Sequence, residues 1–107
     1  MRVSLTIVAA DGAELPAGSP VRVQLRDTTF EDAPARTLQE WQAVVPEHAK
    51  AVPLSIEIDA SADEATFWVH VDRDGDRRVS VGDYITTRAY PLRTASAEMT
   101  LVVSRID

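Results

Sequence analysis

Short runs in which apolar and polar residues alternate are the feature that most constrains how this sequence can fold. In the clearest run, Val21, Val23 and Leu25 alternate with Arg22, Gln24 and Arg26. A period of two is typical of a β-strand with one buried face. The pattern predicts strands over residues 3–9, 21–26, 37–45, 54–58, 67–71, 84–92 and 99–103.

One of these runs is ambiguous. Leu38, Trp41 and Val45 also fit the spacing of a helical face, whereas Trp41, Ala43 and Val45 fit a strand. We interpret it as a strand, which Pro46 ends. About seven short strands separated by turn residues, with no long helical period, predict an all-β fold, an antiparallel β-sandwich that forms a single domain over residues 1–107.

Composition excludes several classes of function. The 107 residues are 45% hydrophobic and 26% charged, with a net charge of −6, which is typical of a globular protein. The negative charge argues against nucleic acid as a partner and favours a cation. Cysteine is absent, so thiolate metal sites and cysteine nucleophiles are excluded. No apolar run approaches the roughly 20 residues of a membrane-spanning helix, so membrane insertion is not expected.

The N-terminus gives an expectation about the compartment. Ser4 and Thr6 interrupt its apolar run, so it resembles a strand and not a signal peptide. The expectation is a cytoplasmic protein, or an extracytoplasmic one if a leader was removed.

The segment 72–83 is where residue spacing alone implies chemistry. Asp72, Asp74 and Asp76 occupy the first, third and fifth positions of an EF-hand-type or dockerin-type calcium loop. Ser80 and Asp83 occupy the ninth and twelfth positions. The predicted Ca²⁺ ligands are Asp72, Asp74, Asp76, the backbone carbonyl of Arg78, Ser80 and Asp83.

Two features of the loop leave an alternative open. Arg77 stands at the sixth position, where such loops have glycine, and Asp83 is shorter than the usual glutamate. The alternative is a charged β-hairpin that turns at Asp74-Gly75 and binds no ion. Mg²⁺ fits less well than Ca²⁺, since it requires a near-octahedral shell and retains its waters.

The remaining candidate residues have simpler interpretations. His48 and His70 are interpreted as isolated surface residues, because two separated histidines without cysteine make a poor zinc site. Arg22 and Arg26 fit a solvated sheet surface, with an anion site as the alternative. Trp41 and Trp68 either share an outer sheet face as a sugar- or peptide-binding platform, belong to the core, or cover a sheet edge. No nucleophile elbow, phosphate loop or HExxH motif is present, so we expect no enzymatic activity.

A family resemblance rests on Leu15-Pro16-Ala17-Gly18, the run from Val21 to Asp27, and Asp32-Ala33-Pro34-Ala35. In order and spacing these resemble the YbaY-like lipoproteins, relatives of the small type III secretion lipoprotein chaperones (YscW-like). The similarity continues more weakly through Pro53–Ile58, Phe67–Val71 and Tyr90-Pro91-Leu92. The resemblance implies a small β-sandwich and supplies no catalytic or ligand motif.

Two functions therefore stand. The first is a non-enzymatic accessory module that binds calcium through residues 72–83. The second is a chaperone or pilotin-like domain that binds a protein partner along an edge strand or an apolar groove.

Overall fold

The computed structural model describes residues 1–30, 32, 34–59, 64–94 and 97–107. These residues form seven β-strands and one short 3-10 helix, so the predicted all-β class with seven strands is confirmed. In chain order they are β1 Arg2–Ala9, β2 Pro20–Asp27, β3 Arg36–Val44, β4 Ala51–Glu57, β5 Ala65–Val71, β6 Tyr84–Thr86, the 3-10 helix Leu92–Thr94 and β7 Glu98–Arg105.

The strands form one mixed sheet, so the prediction of an antiparallel sandwich is wrong. Their order in the sheet is β3-β2-β5-β6-β7-β1-β4. All neighbours are antiparallel except β1 and β7, which run parallel from Ser4↔Glu98 to Ala9↔Val103. Alternation identifies the buried face of a strand, but it carries no information about the direction of the neighbouring strand.

The sheet curls until it is nearly a barrel. Its two edge strands, β3 and β4, approach each other at Gln39. The Gln39 Nε2 atom donates to the carbonyl of Glu57 at 3.3 Å, and its Oε1 atom accepts from the backbone N–H of Asp59 at 2.9 Å. The Gln39 side-chain amide thus makes the hydrogen bonds that a backbone peptide group would make between β3 and β4. No β-ladder joins these two strands in the described residues.

The concave side of the sheet contains the core. Phe67 is the largest fully buried side chain, and it packs with aliphatic residues from the neighbouring strands. These include Val3, Leu5, Ile7, Val21, Val23, Leu25, Val69, Val71, Leu101 and Val103. All of them occupy predicted inward positions, and each contributes about 1.5 to 3 kcal/mol of transfer free energy on burial.

The sixth strand is much shorter than predicted. It ends at Thr86 instead of Leu92, and residues 87–89 leave the sheet. The Thr86 hydroxyl accepts a hydrogen bond from Val69 N at 3.2 Å, in the place where a strand carbonyl would. The chain returns at Tyr90, whose carbonyl accepts from Phe67 N at 3.0 Å. Tyr84 to Leu92 is therefore a short strand followed by an outward bend.

The Gln39 bridge gives a test of edge closure. We expect Gln39→Leu to lower the free energy of unfolding by about 1 kcal/mol, because it removes hydrogen bonds between β3 and β4. Gln42→Leu is the matched control on the same strand, since Gln42 donates only to Glu40 within β3, at 3.1 Å, and should change stability by less than about 0.5 kcal/mol. Urea denaturation measures both. Equal effects of the two substitutions would contradict the bridge.

Candidate functional site

The acidic loop, residues 72–83, connects β5 to β6 and contains no strand. The two strands pair at His70↔Ile85 and Val71↔Tyr84, and the chain between them curls instead of forming a tight turn. Arg77 has a φ of 64° and Gly75 a φ of 70°, both in the left-handed region. The tight-hairpin alternative required Arg77 to lie in a returning strand, and the described residues contain no such strand.

Asp72 organises the first half of the loop. Its side chain is 1% exposed, its Oδ1 atom accepts from Gly75 N at 3.1 Å, and its Oδ2 atom accepts from Arg77 N at 2.7 Å. These bonds hold Arg77 at a positive φ, a conformation that costs a non-glycine residue about 1 kcal/mol. Asp72 is thus a structural residue of the loop, whether or not an ion is bound.

Asp83 organises the second half and is also 1% exposed. Its Oδ1 atom accepts from Arg73 N at 2.9 Å, and its Oδ2 atom accepts from Ser80 N at 3.1 Å and from His70 Nε2 at 2.8 Å. Burial acts to raise the pKa of Asp83, but the bonds from His70, Arg73 and Ser80 outweigh it and hold the pKa below its usual value. This carboxylate stays ionised inside the protein.

His70 was wrongly interpreted as a surface residue, since it is 0% exposed beneath the loop. Its Nδ1 atom lies 2.7 Å from Arg22 Nη2. A guanidinium can only donate, so Nδ1 is the acceptor and the proton lies on Nε2, directed at Asp83. His48, in contrast, is exposed, as predicted. Sequence gave no sign of this pairing, because the partners of His70 come from β2 and the far end of the loop.

The other predicted ligands lie nearer the surface. Ligand oxygens of Asp72, Asp74 and Asp76 all lie within 4.8 Å of one another. Partial desolvation, followed by the nearby carboxylates of Asp72, Asp76 and Asp83, raises the pKa of Asp74. The Ser80 hydroxyl lies 3.4 Å from Asp74 Oδ2 and 3.3 Å from Asp83 Oδ2.

The structure divides the predicted set into two groups. Asp72, Asp74 and Asp76 form one trio, in which Asp72 is buried and the other two are exposed, whereas Asp83 lies with Asp72 and His70 in a second, fully buried group within the same 4.8 Å limit. Arg78 contacts the first group through its N–H, which donates to Asp76 at 2.9 Å.

A polar network ties this loop to the edge of the sheet. Arg22 donates to the carbonyl of Arg77 at 3.2 Å, and the Arg77 guanidinium lies 3.7 Å from Glu40 on β3. Glu40 accepts in turn from Gln24 at 2.8 Å. The network runs along the outer face of β2 and β3 and fixes the loop over the start of β2.

A groove of about 420 Å³ lies between the loop and the edge strand β3. We call it the edge groove; its lining residues are Pro20, Val21, Arg22, Gln42, Ala43, Val44, Asp72, Gly75 and Arg77. Val44, one of these lining residues, is 62% exposed. An exposed apolar side chain on an edge strand, beside a groove, makes this a candidate docking surface.

The two tryptophans do not form a shared platform. Trp41 pairs with the inward residue Val23 and packs against the core, whereas Trp68 pairs with the outward residue Gln24. They therefore lie on opposite faces of the sheet. On the outer face, the guanidinium of Arg26 lies over the Trp68 ring, 3.9 Å from its centroid.

Comparison with known proteins assigns the family. Residues 1–72 match the family model described as type III secretion system lipoprotein chaperone (YscW). The chain therefore belongs to that family, and the match ends where the acidic loop begins. A search of curated proteins found no match.

A solved structure shares the whole fold. It is titled as an alternative pilotin from the type II secretion system of Vibrio cholerae, and it is 18% identical to this chain with a TM-score of 0.72. The similarity covers 100% of this chain and 97% of the pilotin chain. In the described part of this chain, no helix has the length and apolar character needed to cross a bilayer.

The buried Asp83 carboxylate gives a second prediction. Asp83→Asn should lower the free energy of unfolding by about 2 kcal/mol, because an amide NH₂ would replace one acceptor oxygen among buried donors. Asp76→Asn should have little effect, because Asp76 is exposed and an asparagine oxygen can still accept from Arg78 N. Because folding lowers the pKa of Asp83 below 3.8, its contribution is present above that pH and is lost as the pH falls through the folded value. Urea titrations at neutral and acidic pH measure both effects; a stable Asp83→Asn variant at neutral pH would refute the assignment.

Proposed function

We propose that this protein is a non-enzymatic, pilotin- or chaperone-like interaction domain that binds a protein component of a secretion system. The supporting observation is its membership of the lipoprotein chaperone family, which covers residues 1–72. The shared fold of the Vibrio cholerae pilotin extends this similarity over the whole chain. The class of partner is inferred from these secretion-system relatives, and the binding surface is inferred from the geometry of this chain.

The edge groove is the surface that best suits such a partner. Strand β3 pairs with β2 on one side only, and past the Gln39 bridge its other side faces no ladder in the described residues. An extended partner segment would pair with β3 and place an apolar side chain in the groove beside Val44. Backbone bonds would supply affinity, and the groove would select the side chain.

Substitution of Val44 tests this proposal. Val44→Lys should reduce partner capture at least about ten-fold, because it places a charge where apolar contact is needed. Val81→Lys is the matched control, since Val81 is 71% exposed but does not line the groove. Wild type and both variants serve as bait in a native lysate with EDTA present, after their melting temperatures are shown to agree.

The capture experiment has three possible outcomes. Recovery of one secretion or envelope protein by wild type and Val81→Lys, with loss in Val44→Lys, is the expected result. Capture that Val44→Lys does not reduce would contradict the assigned surface, and capture of no such protein would contradict the function.

Calcium binding by the acidic loop stays a prediction beside this function. What favours it is the convergence of Asp72, Asp74 and Asp76, together with the positive φ of Arg77 at the loop's sixth position. The proposed ligands remain Asp72, Asp74, Asp76, the carbonyl of Arg78, Ser80 and Asp83. Because Asp83 is short and already bonded to His70, we expect weak affinity, about 10⁻⁵ to 10⁻³ M.

Calorimetric titration with Ca²⁺ tests the loop. We expect heat of binding and a higher melting temperature in millimolar Ca²⁺ than in EDTA, since an ion that binds only the native state stabilises it. Asp76→Ala should remove both, and Asp11→Ala, an exposed aspartate outside the loop, should preserve both. Absence of heat and of any shift in the wild type would leave a loop held only by its own hydrogen bonds.

A further inference from the structure

A second cavity opens on the outer face of the sheet where β6 stops early. We call it the arginine pocket; it measures about 310 Å³ and is lined by Arg26, Thr28, Ala35, Thr66, Phe67, Trp68, Thr86, Thr87 and Arg88. It exists because residues 87–89 bend away from β5 instead of continuing the strand. It lies at the start of β5, whereas the acidic loop follows the end of that strand.

Two contacts fix the orientation of the Arg26 guanidinium at this pocket. Its guanidinium lies over the Trp68 ring, 3.9 Å from the centroid, and its Nε atom donates to Gln24 Oε1 at 2.8 Å. These two contacts fix the plane of the group and leave both Nη atoms without a hydrogen bond to any described residue. A guanidinium fixed in this way presents a fork that matches a carboxylate.

Positive charge gathers around this pocket, although Arg22 is close enough to the Glu40 carboxylate to attract it. Arg22 also approaches the Trp68 ring, at 5.5 Å, and the exposed Arg88 lies at the pocket's rim. Among the described residues, no ion pair joins Arg22, Arg26 or Arg88 to a carboxylate. Burial, and then the charge of Arg22, lower the pKa of Arg26 from its ordinary value. In a protein with a net charge of −6, this is a local reversal of sign.

We propose that the arginine pocket binds an acidic peptide segment of a partner protein, with a glutamate or aspartate carboxylate held between Arg26 and Arg88. Threonine hydroxyls from Thr28 and Thr87 line the same cavity and offer further donors. The proposal rests on the proposed function only in that the segment belongs to a protein partner. The pocket is separate from the edge groove and shares no lining residue with it.

The lining favours a carboxylate side chain over a free phosphate. Trp68 and Ala35 give the cavity an apolar part, which would contact the methylene groups that precede a carboxylate. Phosphate sites generally use several backbone N–H groups at a helix N-terminus or a glycine-rich turn. Here the polar groups lining the cavity include two guanidinium groups and the hydroxyls of threonines, which suit a peptide side chain.

Titration with a blocked oligoglutamate peptide tests the pocket, with the matching oligoglutamine peptide as the uncharged probe. Calorimetry and tryptophan emission follow binding to the full chain. We expect saturable binding with a Kd of about 10⁻⁴ M, sensitive to salt, for oligoglutamate only. Arg26→Gln and Arg88→Gln should each weaken it about ten-fold. Arg88 is exposed and has no described hydrogen bond, and its guanidinium lies 5.5 Å from the centroid of the Tyr90 ring. Its replacement therefore tests the pocket even if Arg26→Gln perturbs the sheet.

Arg105→Gln is the matched control, because it removes the same charge at an exposed site outside the pocket. Peptide binding lost in Arg88→Gln and kept in Arg105→Gln supports the proposal. No saturation at millimolar peptide, or equal weakening by Arg105→Gln, overturns it. Tight binding of inorganic phosphate or of anionic vesicles without binding of the peptide also overturns it. Val44→Lys should bind oligoglutamate like wild type, so failure of this pocket and failure of the edge groove are separately visible.

Discussion

Parallel pairing of β1 with β7 is the constraint on which the sheet depends. It joins strands from the two ends of the chain, with Ser4 opposite Glu98. Without it the sheet would separate into a β1-β4 pair and a ribbon of the five other strands. Such a contact closes almost the whole chain into a loop, at an entropic cost that local pairs do not incur. The buried faces of β1 and β7, with Leu5 and Leu101 among them, offset this cost.

The sequence was informative about strands and much less so about their partners. Alternation located the buried faces of β2 and β5 correctly, because burial of one face imposes a period of two. It said nothing about β7 lying beside β1, since direction and neighbour depend on contacts between distant residues. The early end of β6 was also hidden, because the Thr86 hydroxyl replaces a backbone acceptor and a threonine-rich run resembles a strand.

The acidic loop shows why spacing is ambiguous evidence for a metal site. Alternate aspartates bring carboxylates to one point, as an ion would require, but the same spacing lets Asp72 accept the N–H groups of Gly75 and Arg77. Local sequence identified the curled loop and its acidic trio. It could not identify the burial of Asp83 against His70, because Arg22 on β2 completes that group from a distant part of the chain.

Arg77 belongs to two surfaces of the protein, the acidic loop and the edge groove. Its carbonyl accepts from Arg22, its side chain approaches Glu40, and it lines the edge groove while belonging to the acidic loop. A ligand that restricts the loop therefore also restricts one wall of the groove. If a ligand of the loop strengthens binding in the groove, then an occupant of the groove must strengthen binding to the loop by the same free energy, because coupling between two sites is reciprocal. The arginine pocket, at the other end of β5, shares no lining residue with this wall, although Arg22 contacts both Arg77 and the Trp68 ring.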